Sequence, residues 1–174
     1  DVDVTTTGAV VGGNLDGVSA ISVSGNVTVD TAAVSGGDDG VVAQGAGDVS
    51  VTTNGLVQGL GASGVIAVST GGGLVTVETN GAVTAATFGV FGQSAGDVDI
   101  TINDDVTAGI IGVGGVSTGG SSTITIAAGV TIDPNDYGIY NLAATDATVT
   151  TGAGVTITVI DNDLDQVAFG IYNE

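Results

Sequence analysis

The step Gly-Val or Gly-Ile returns seven times along the chain, at intervals of roughly 25 residues, and constrains the fold more than any other feature. A repeat of this period is typical of stacked coils rather than of a domain that closes around one core. We interpret the glycine as the residue that lets each coil turn a corner. The steps are Gly17-Val18, Gly40-Val41, Gly64-Val65, Gly89-Val90, Gly109-Ile110, Gly138-Ile139 and Gly170-Ile171.

Each repeat also contains an alternating pair of apolar residues, which period two places on one face of a strand. The pairs are Val2/Val4, Val27/Val29, Val49/Val51, Val75/Val77, Val98/Ile100, Ile124/Ile126 and Ala147/Val149. A further apolar residue follows each pair: Val10, Val34, Val57, Val83, Val106, Ile132 and Val155. We therefore predict an all-β fold, a parallel β-helix (β-solenoid) of about seven coils of about 24 residues, with two or three strands per coil. At ~4.8 Å per coil, the rod would be on the order of 34 Å long.

The amino-acid composition excludes some classes of binding partner. The 174 residues include 19 acidic residues and no Lys, Arg or His, which gives a formal net charge of −19. Phosphate binding requires cations, so we expect no nucleic-acid partner. The apolar runs are far shorter than the ~20 residues of a spanning helix, so we expect no direct membrane insertion. The hydrophobic fraction of 43% argues against disorder, because it supplies side chains to bury.

The last coils deviate from the period, since the interval between steps lengthens after Gly109. We predict two outward loops there, at 134–136 and 161–165, as places where function could be attached. The aromatic residues flank three of the steps, and we predict that they stack into a ladder rather than form a platform for a ligand. They are Phe88, Phe91, Tyr137, Tyr140, Phe169 and Tyr172.

Three short motifs carry a resemblance to a known group. They are Gly-Val-x-Ala at 40–43 and 64–67, Gly-Ile-Tyr-Asn at 138–141 and 170–173, and Gly-Asp-Val-x-Val/Ile at 47–51 and 96–100. Over nearly its whole length the chain resembles the passenger repeats of large Gram-negative autotransporters and related adhesin-like surface proteins. The resemblance implies a right-handed β-helix, one solenoid segment over 1–174 and a longer parent passenger. It also implies a location outside a Gram-negative cell or on its surface.

Two structural functions follow as expectations. The first is a structural or adhesive rod that meets a ligand on a host or neighbouring cell surface. The second is a subunit that forms a homopolymer by end-to-end coil stacking, because neither end carries a recognisable polar cap and an open coil end is an unpaired edge.

A carbohydrate-active enzyme is the third possibility, because glycosidases use paired carboxylates. Its candidate residues are Asp97/Asp99, Asp104/Asp105 and Asp161/Asp163/Asp165. A nucleophilic triad would need His, Cys or Lys, and a groove that processes polysaccharides would be expected to present aromatics and cations. We therefore expect no catalytic residues and no enzymatic activity.

The carboxylates suit calcium better, because calcium prefers clustered oxygen ligands. Asp161, Asp163 and Asp165 occupy alternate positions and are the candidate calcium ligands; we expect no other cofactor. The segment departs from an EF-hand loop at Gln166 and Tyr172, where Gly and a bidentate Glu are required. A solvated acidic loop is the alternative interpretation, and we favour it for Asp38-Asp39.

Threonines alternate along several strands, an arrangement that ice-binding solenoids use when the array is flat and regular. The residues are Thr5/Thr7, Thr52, Thr123/Thr125 and Thr148/Thr150. We predict that they do not keep a strict register and are ordinary solvent-facing strand residues.

Overall fold

A computed structural model describes residues 1–159 and 168–174 and shows a solenoid of three parallel β-sheets. Each sheet contains seven strands, so the chain forms seven coils, and each coil contributes one strand to every sheet. The prediction of an all-β parallel solenoid is therefore confirmed, and the number of strands per coil is three.

Sheet A contains β1 (Val2–Thr5), β4 (Val27–Thr31), β7 (Val49–Thr53), β10 (Val75–Thr79), β13 (Val98–Ile102), β16 (Ser122–Ile126) and β19 (Ala147–Thr151). Sheet B contains β2 (Val10–Val11), β5 (Val34–Gly36), β8 (Val57–Gly59), β11 (Val83–Ala85), β14 (Val106–Thr107), β17 (Thr131–Asp133) and β20 (Thr156–Ile157). Sheet C contains β3 (Val18–Ile21), β6 (Val41–Gly45), β9 (Val65–Ser69), β12 (Phe88–Ser94), β15 (Ile111–Ser117), β18 (Tyr137–Ala143) and β21 (Phe169–Asn173).

The core is a narrow column in which like side chains stack from coil to coil. The alternating pairs of sheet A face inward as predicted; in the third coil, for example, Val49 and Val51 are at most 1% exposed. Sheet B contributes one inward residue per coil, such as Val57, and sheet C contributes the valine or isoleucine of the glycine step. Small and β-branched side chains suffice because three sheets enclose little space.

The fifth glycine step was assigned wrongly from the sequence. Val113 pairs with Val90 on one side and with Ile139 on the other, so Gly112-Val113 and not Gly109-Ile110 is the step of the fifth coil. With Gly112 in place, the intervals on its two sides are 23 and 26 residues. The long interval is then confined to the last coil, between Gly138 and Gly170.

Two further predictions about the last coils were wrong. Ile157, not Val155, pairs with Ile132 in sheet B. The corner before β20 has the same length as the corner before β17, and it turns at Gly154 with φ 76° as the other turns at Gly129 with φ 79°. Val155 therefore still lies in the corner, and Ile157 is the residue that reaches the strand. The predicted outward loop at 134–136 is an ordinary corner. Its backbone follows that of the coil before it, since the N–H of Asp136 donates to the carbonyl of Ile110 at 3.1 Å.

Candidate functional surfaces

The predicted calcium ligands Asp161, Asp163 and Asp165, and with them the loop at 161–165, lie outside the described residues. The calcium site therefore stays a prediction. Other acidic residues are described, and their contacts show what they do in the fold.

One corner of the solenoid, between sheet C and sheet A, carries a ladder of side-chain acceptors. Asp48 Oδ1 accepts a hydrogen bond from the N–H of Leu74 in the next coil at 2.9 Å, and Asp97 Oδ1 accepts one from Ser121 at 2.8 Å. Asn26 does the same for the N–H of Asp48 at 2.9 Å. Each side chain thus ties its own coil to the next. This explains why Asp recurs in the Gly-Asp-Val motif.

Of the paired carboxylates considered for catalysis, the described residues include Asp97/Asp99 and Asp104/Asp105. Asp97 lies just before β13, in the acceptor ladder, whereas Asp99 is exposed on the outer face of that strand. Asp104 and Asp105 follow the end of β13, where Asp105 Oδ1 accepts the N–H of Thr131 at 2.7 Å. The described contacts of Asp97 and Asp105 therefore hold coils together.

A cluster of three acidic residues, which was not predicted from the sequence, forms where sheet B turns into sheet C. Asp16 from the first coil joins Asp38 and Asp39 from the second, and one carboxylate oxygen of each lies within 4.8 Å of the others. Asp39 Oδ1 also accepts the N–H of Ser63 at 2.6 Å. Asp16 and Asp39 are half-buried and Asp38 is exposed. Coil stacking brings Asp16 to the other two, since it is distant from them in sequence.

The outward positions of sheet A form two rows along the rod. Their members are Asp3, Thr28, Ser50, Thr76, Asp99, Thr123 and Thr148 in one row, and Thr5, Asp30, Thr52, Glu78, Thr101, Thr125 and Thr150 in the other. The prediction that the threonines lack register was therefore wrong for the strand residues. Carboxylates interrupt the hydroxyl array in four of the seven coils.

The outward positions of sheet C also form two rows, but of a different kind. The first row contains Ser19, Val42, Ile66, Phe91, Gly114, Tyr140 and Tyr172; the second contains Ile21, Gln44, Val68, Gln93, Val116, Leu142 and Glu174. Nine of these fourteen residues are Val, Ile, Leu, Phe or Tyr, and Glu174, at the far end, is the acidic one. Sequence reasoning missed this face, although Val-Ile-Ala-Val at 65–68 is the kind of continuous apolar run that indicates it.

The aromatic side chains lie on this side of the solenoid. Tyr137 stacks on Phe169 with ring centroids 5.6 Å apart, and Tyr140 stacks on Tyr172 at 5.3 Å, so the predicted ladder is confirmed for the last two coils. Phe91 instead leans over Gly114, where a β-carbon would lie 2.7 Å from its ring. The Tyr172 hydroxyl donates to the Glu174 carboxylate, and this hydrogen bond raises the pKa of the phenol above its ordinary value.

A buried amide links two of the sheets in the last coils. Asn141 is fully buried, and its Nδ2 group donates to the carbonyls of Ser122 and Thr148 in sheet A, each at 3.1 Å. It also donates to Oδ1 of Asn173 in the next coil at 2.9 Å. The Asn of the Gly-Ile-Tyr-Asn motif therefore has a structural role, which the sequence reasoning did not assign.

Comparison with known proteins found no match: no family model, no curated protein and no solved structure matches the chain. Among the described residues, no helix has the length and apolarity needed to cross a membrane.

Proposed function

We propose that this chain is a structural and adhesive rod of an extracellular or cell-surface protein, a β-solenoid that extends and displays. The supporting observation is the uninterrupted stacking of seven coils in three sheets. Asp48, Asp97 and Asp105 are engaged in joining one coil to the next. A repeated coil adds length at about 4.8 Å per copy, which suits a spacer.

An exposed rod must survive proteases, and this chain lacks the Lys and Arg residues that trypsin requires. We expect the folded chain to resist chymotrypsin, because its six aromatic residues all lie within strands. We also expect it to resist a protease of acidic specificity, because corner residues such as Asp48, Asp97 and Asp105 are held by hydrogen bonds to the next coil. The measurement is the rate of cleavage of the folded chain against that of the heat-unfolded chain. Rapid digestion of the folded chain would contradict this role.

The location is tested separately, with an antibody raised against the folded chain. Labelling of intact cells that make the protein would support the proposal, and labelling only after permeabilisation would contradict it. Retention of cells on a surface coated with the chain would support adhesion. A coat of heat-unfolded chain is the matched control.

The second candidate is a filament subunit that stacks end to end. Inward-facing Val2 and Val4 in the first coil and Val149 and Ile157 in the last are only partly buried, whereas their equivalents in the middle coils are fully buried. A further coil at either end would cover them, whether it belongs to the same polypeptide or to another copy. Electron microscopy of the isolated chain would show filaments if copies stack, and a monomer at every salt concentration would rule them out.

A further inference from the structure

Sheets A and C differ in a way that points to a covered surface. The strands of sheet A alternate between buried and polar residues, as a sheet with one face in water does. The outer face of sheet C is mostly apolar, and β9, with the run Val-Ile-Ala-Val, is apolar on both faces, as is typical of parallel sheets that are buried on both sides. The inner face of sheet C packs on the core, and its outer rows have no partner within the described residues.

We propose that the outer rows of sheet C form an interface between two copies of this chain, which pack face to face with their rods antiparallel. This is a closed pair with the same surface used twice. It is distinct from end-to-end stacking, which is open-ended and uses the terminal coils. It also does not depend on the location proposed above.

The size of the face fits such a pair. Seven strands span about 34 Å along the rod, and a five-residue strand spans about 17 Å, so the face covers roughly 580 Å². A pair would then bury on the order of 1,150 Å², which is above the ~1,000 Å² expected of a specific interface and below the standard size. We therefore expect a reversible pair rather than a permanent one.

The distribution of charge selects a second copy as the occupant. The outer rows of sheet A contain four carboxylates and no apolar residue, whereas those of sheet C contain a single carboxylate, Glu174. Two copies with a net charge of −19 each can approach closely through sheet C while their other carboxylates stay in water. The rows contain neither a cation nor a carboxylate cluster that would select an ionic partner.

The antiparallel arrangement follows from the sizes of the side chains. The first row begins with Ser19 and Val42 and ends with Tyr140 and Tyr172, so one half of the face is shallow and the other half protrudes. Antiparallel rods place the shallow half of one copy against the aromatic half of the other, which lets the two layers interdigitate. Parallel rods would place the aromatic half of one copy against the aromatic half of the other, and the two layers could not interdigitate in this way. Phe91, in the middle coil, would meet its own counterpart.

The first test places carboxylates on this face. In the double variant Ile66→Asp with Tyr140→Asp, we expect the dissociation constant of the pair, measured by sedimentation equilibrium, to rise at least tenfold. The matched control is Thr52→Asp with Thr125→Asp, which adds the same charge in the same coils on sheet A, at side chains that are also half-buried. Ile66→Thr with Tyr140→Thr is the neutral version, in case the acidic variant fails to fold, and circular dichroism checks each fold.

The second test maps the arrangement, using the absence of native cysteine. Gln93→Cys lies in the middle coil and Gln44→Cys in the second coil, both at exposed positions of the same row. A short thiol cross-linker should join two copies of the Gln93 variant and not of the Gln44 variant. Equal cross-linking of both would overturn the antiparallel arrangement.

The response of pairing to ionic strength distinguishes an apolar interface from an ionic one. Apolar pairing of two acidic chains should strengthen with added NaCl, since salt screens their repulsion. A wild-type chain that stays monomeric up to its solubility limit at high salt would overturn the proposal. So would equal weakening of the pair by the sheet A and sheet C variants.

Discussion

At Gly89, a β-carbon would lie 2.4 Å from the carbonyl oxygen of Gly112 and 2.3 Å from Cγ1 of Val106, both in the next coil. Gly64 meets the carbonyl of Gly89 in the same way, at 2.6 Å, and Gly138 meets that of Gly170 at 2.4 Å. The glycine step is therefore a point of close contact between neighbouring coils, at the start of the sheet C strands. Glycine is needed at these positions because a β-carbon would not fit. An unusual backbone angle is not the reason, since none of these glycines is among those with positive φ.

We expect Gly89→Ala to lower the free energy of unfolding by roughly 1–3 kcal/mol, because a backbone carbonyl cannot move away from the added methyl group. Urea denaturation followed by circular dichroism measures the change. Gly170→Ala is the matched control, since that position has the same phase but no atom of a described residue within 4 Å of its β-carbon. Equal losses in the two variants would show that coil contact is not the cause.

Buried hydroxyl groups give a prediction in the opposite direction, because their removal should not lower the free energy of unfolding. Thr53 is fully buried in sheet A, and its Oγ1 makes no hydrogen bond within the described part of the chain. Valine has nearly the same shape without the polar group, so Thr53→Val should be neutral or raise the unfolding free energy by up to about 1 kcal/mol. Thr52→Val, on the outer face, should give no such gain. A clear loss of stability in Thr53→Val would show that the hydroxyl is bonded in solution.

At the corner between sheets C and A, a coil-joining role of the side chains can be distinguished from a catalytic role. The acceptor ladder needs an oxygen that reaches the next coil, and both aspartate and asparagine supply it, as Asp97 and Asn26 show. A catalytic carboxylate would lose its function on conversion to the amide, whereas a coil-joining acceptor would not. The two roles therefore predict different outcomes for the same substitution.

We expect Asp97→Asn to leave the unfolding free energy nearly unchanged and Asp97→Ala to lower it by about 1 kcal/mol, the typical value of such a hydrogen bond. Asp99→Ala, two residues further along and exposed on the outer face of β13, is the control and should have little effect. The measurement is again chemical denaturation of the three variants. If Asp97→Asn were as damaging as Asp97→Ala, the acceptor role would be contradicted.

The whole molecule combines a well-buried core with a formal charge of −19 and no side-chain cation to offset it. Like charges repel more strongly in the compact state than in the extended chain, which lowers stability. The stacking of coils adds to this where it brings Asp16 to Asp38 and Asp39. Stability should accordingly depend on salt.

We expect the unfolding free energy to rise from low to high NaCl concentration, and KCl to act equally, because the cause is screening. Calcium chloride at matched ionic strength tests the predicted ligands Asp161, Asp163 and Asp165. An additional gain that is lost in the triple Asn variant would support a calcium site. No gain beyond that from NaCl would contradict it.

The repeat, the strands and most of the core were predictable from the amino-acid sequence alone. Val49 and Val51 had to face inward together because alternation places them on one side of a strand, and this holds whatever the neighbouring coils do. The corner glycines were also identified correctly in six of seven coils, since a fixed period distinguishes them from the other glycines of the chain.

The side-by-side placement of residues from different coils was visible only in the folded chain. Gly109-Ile110 and Gly112-Val113 are alike as dipeptides, and only the pairing of Val113 between Val90 and Ile139 shows which one turns the corner. The rows of threonine on sheet A and the apolar rows of sheet C arise in the same way. Register between strands distant in sequence is set by packing of the whole stack, so no single coil can reveal the surfaces the rod presents.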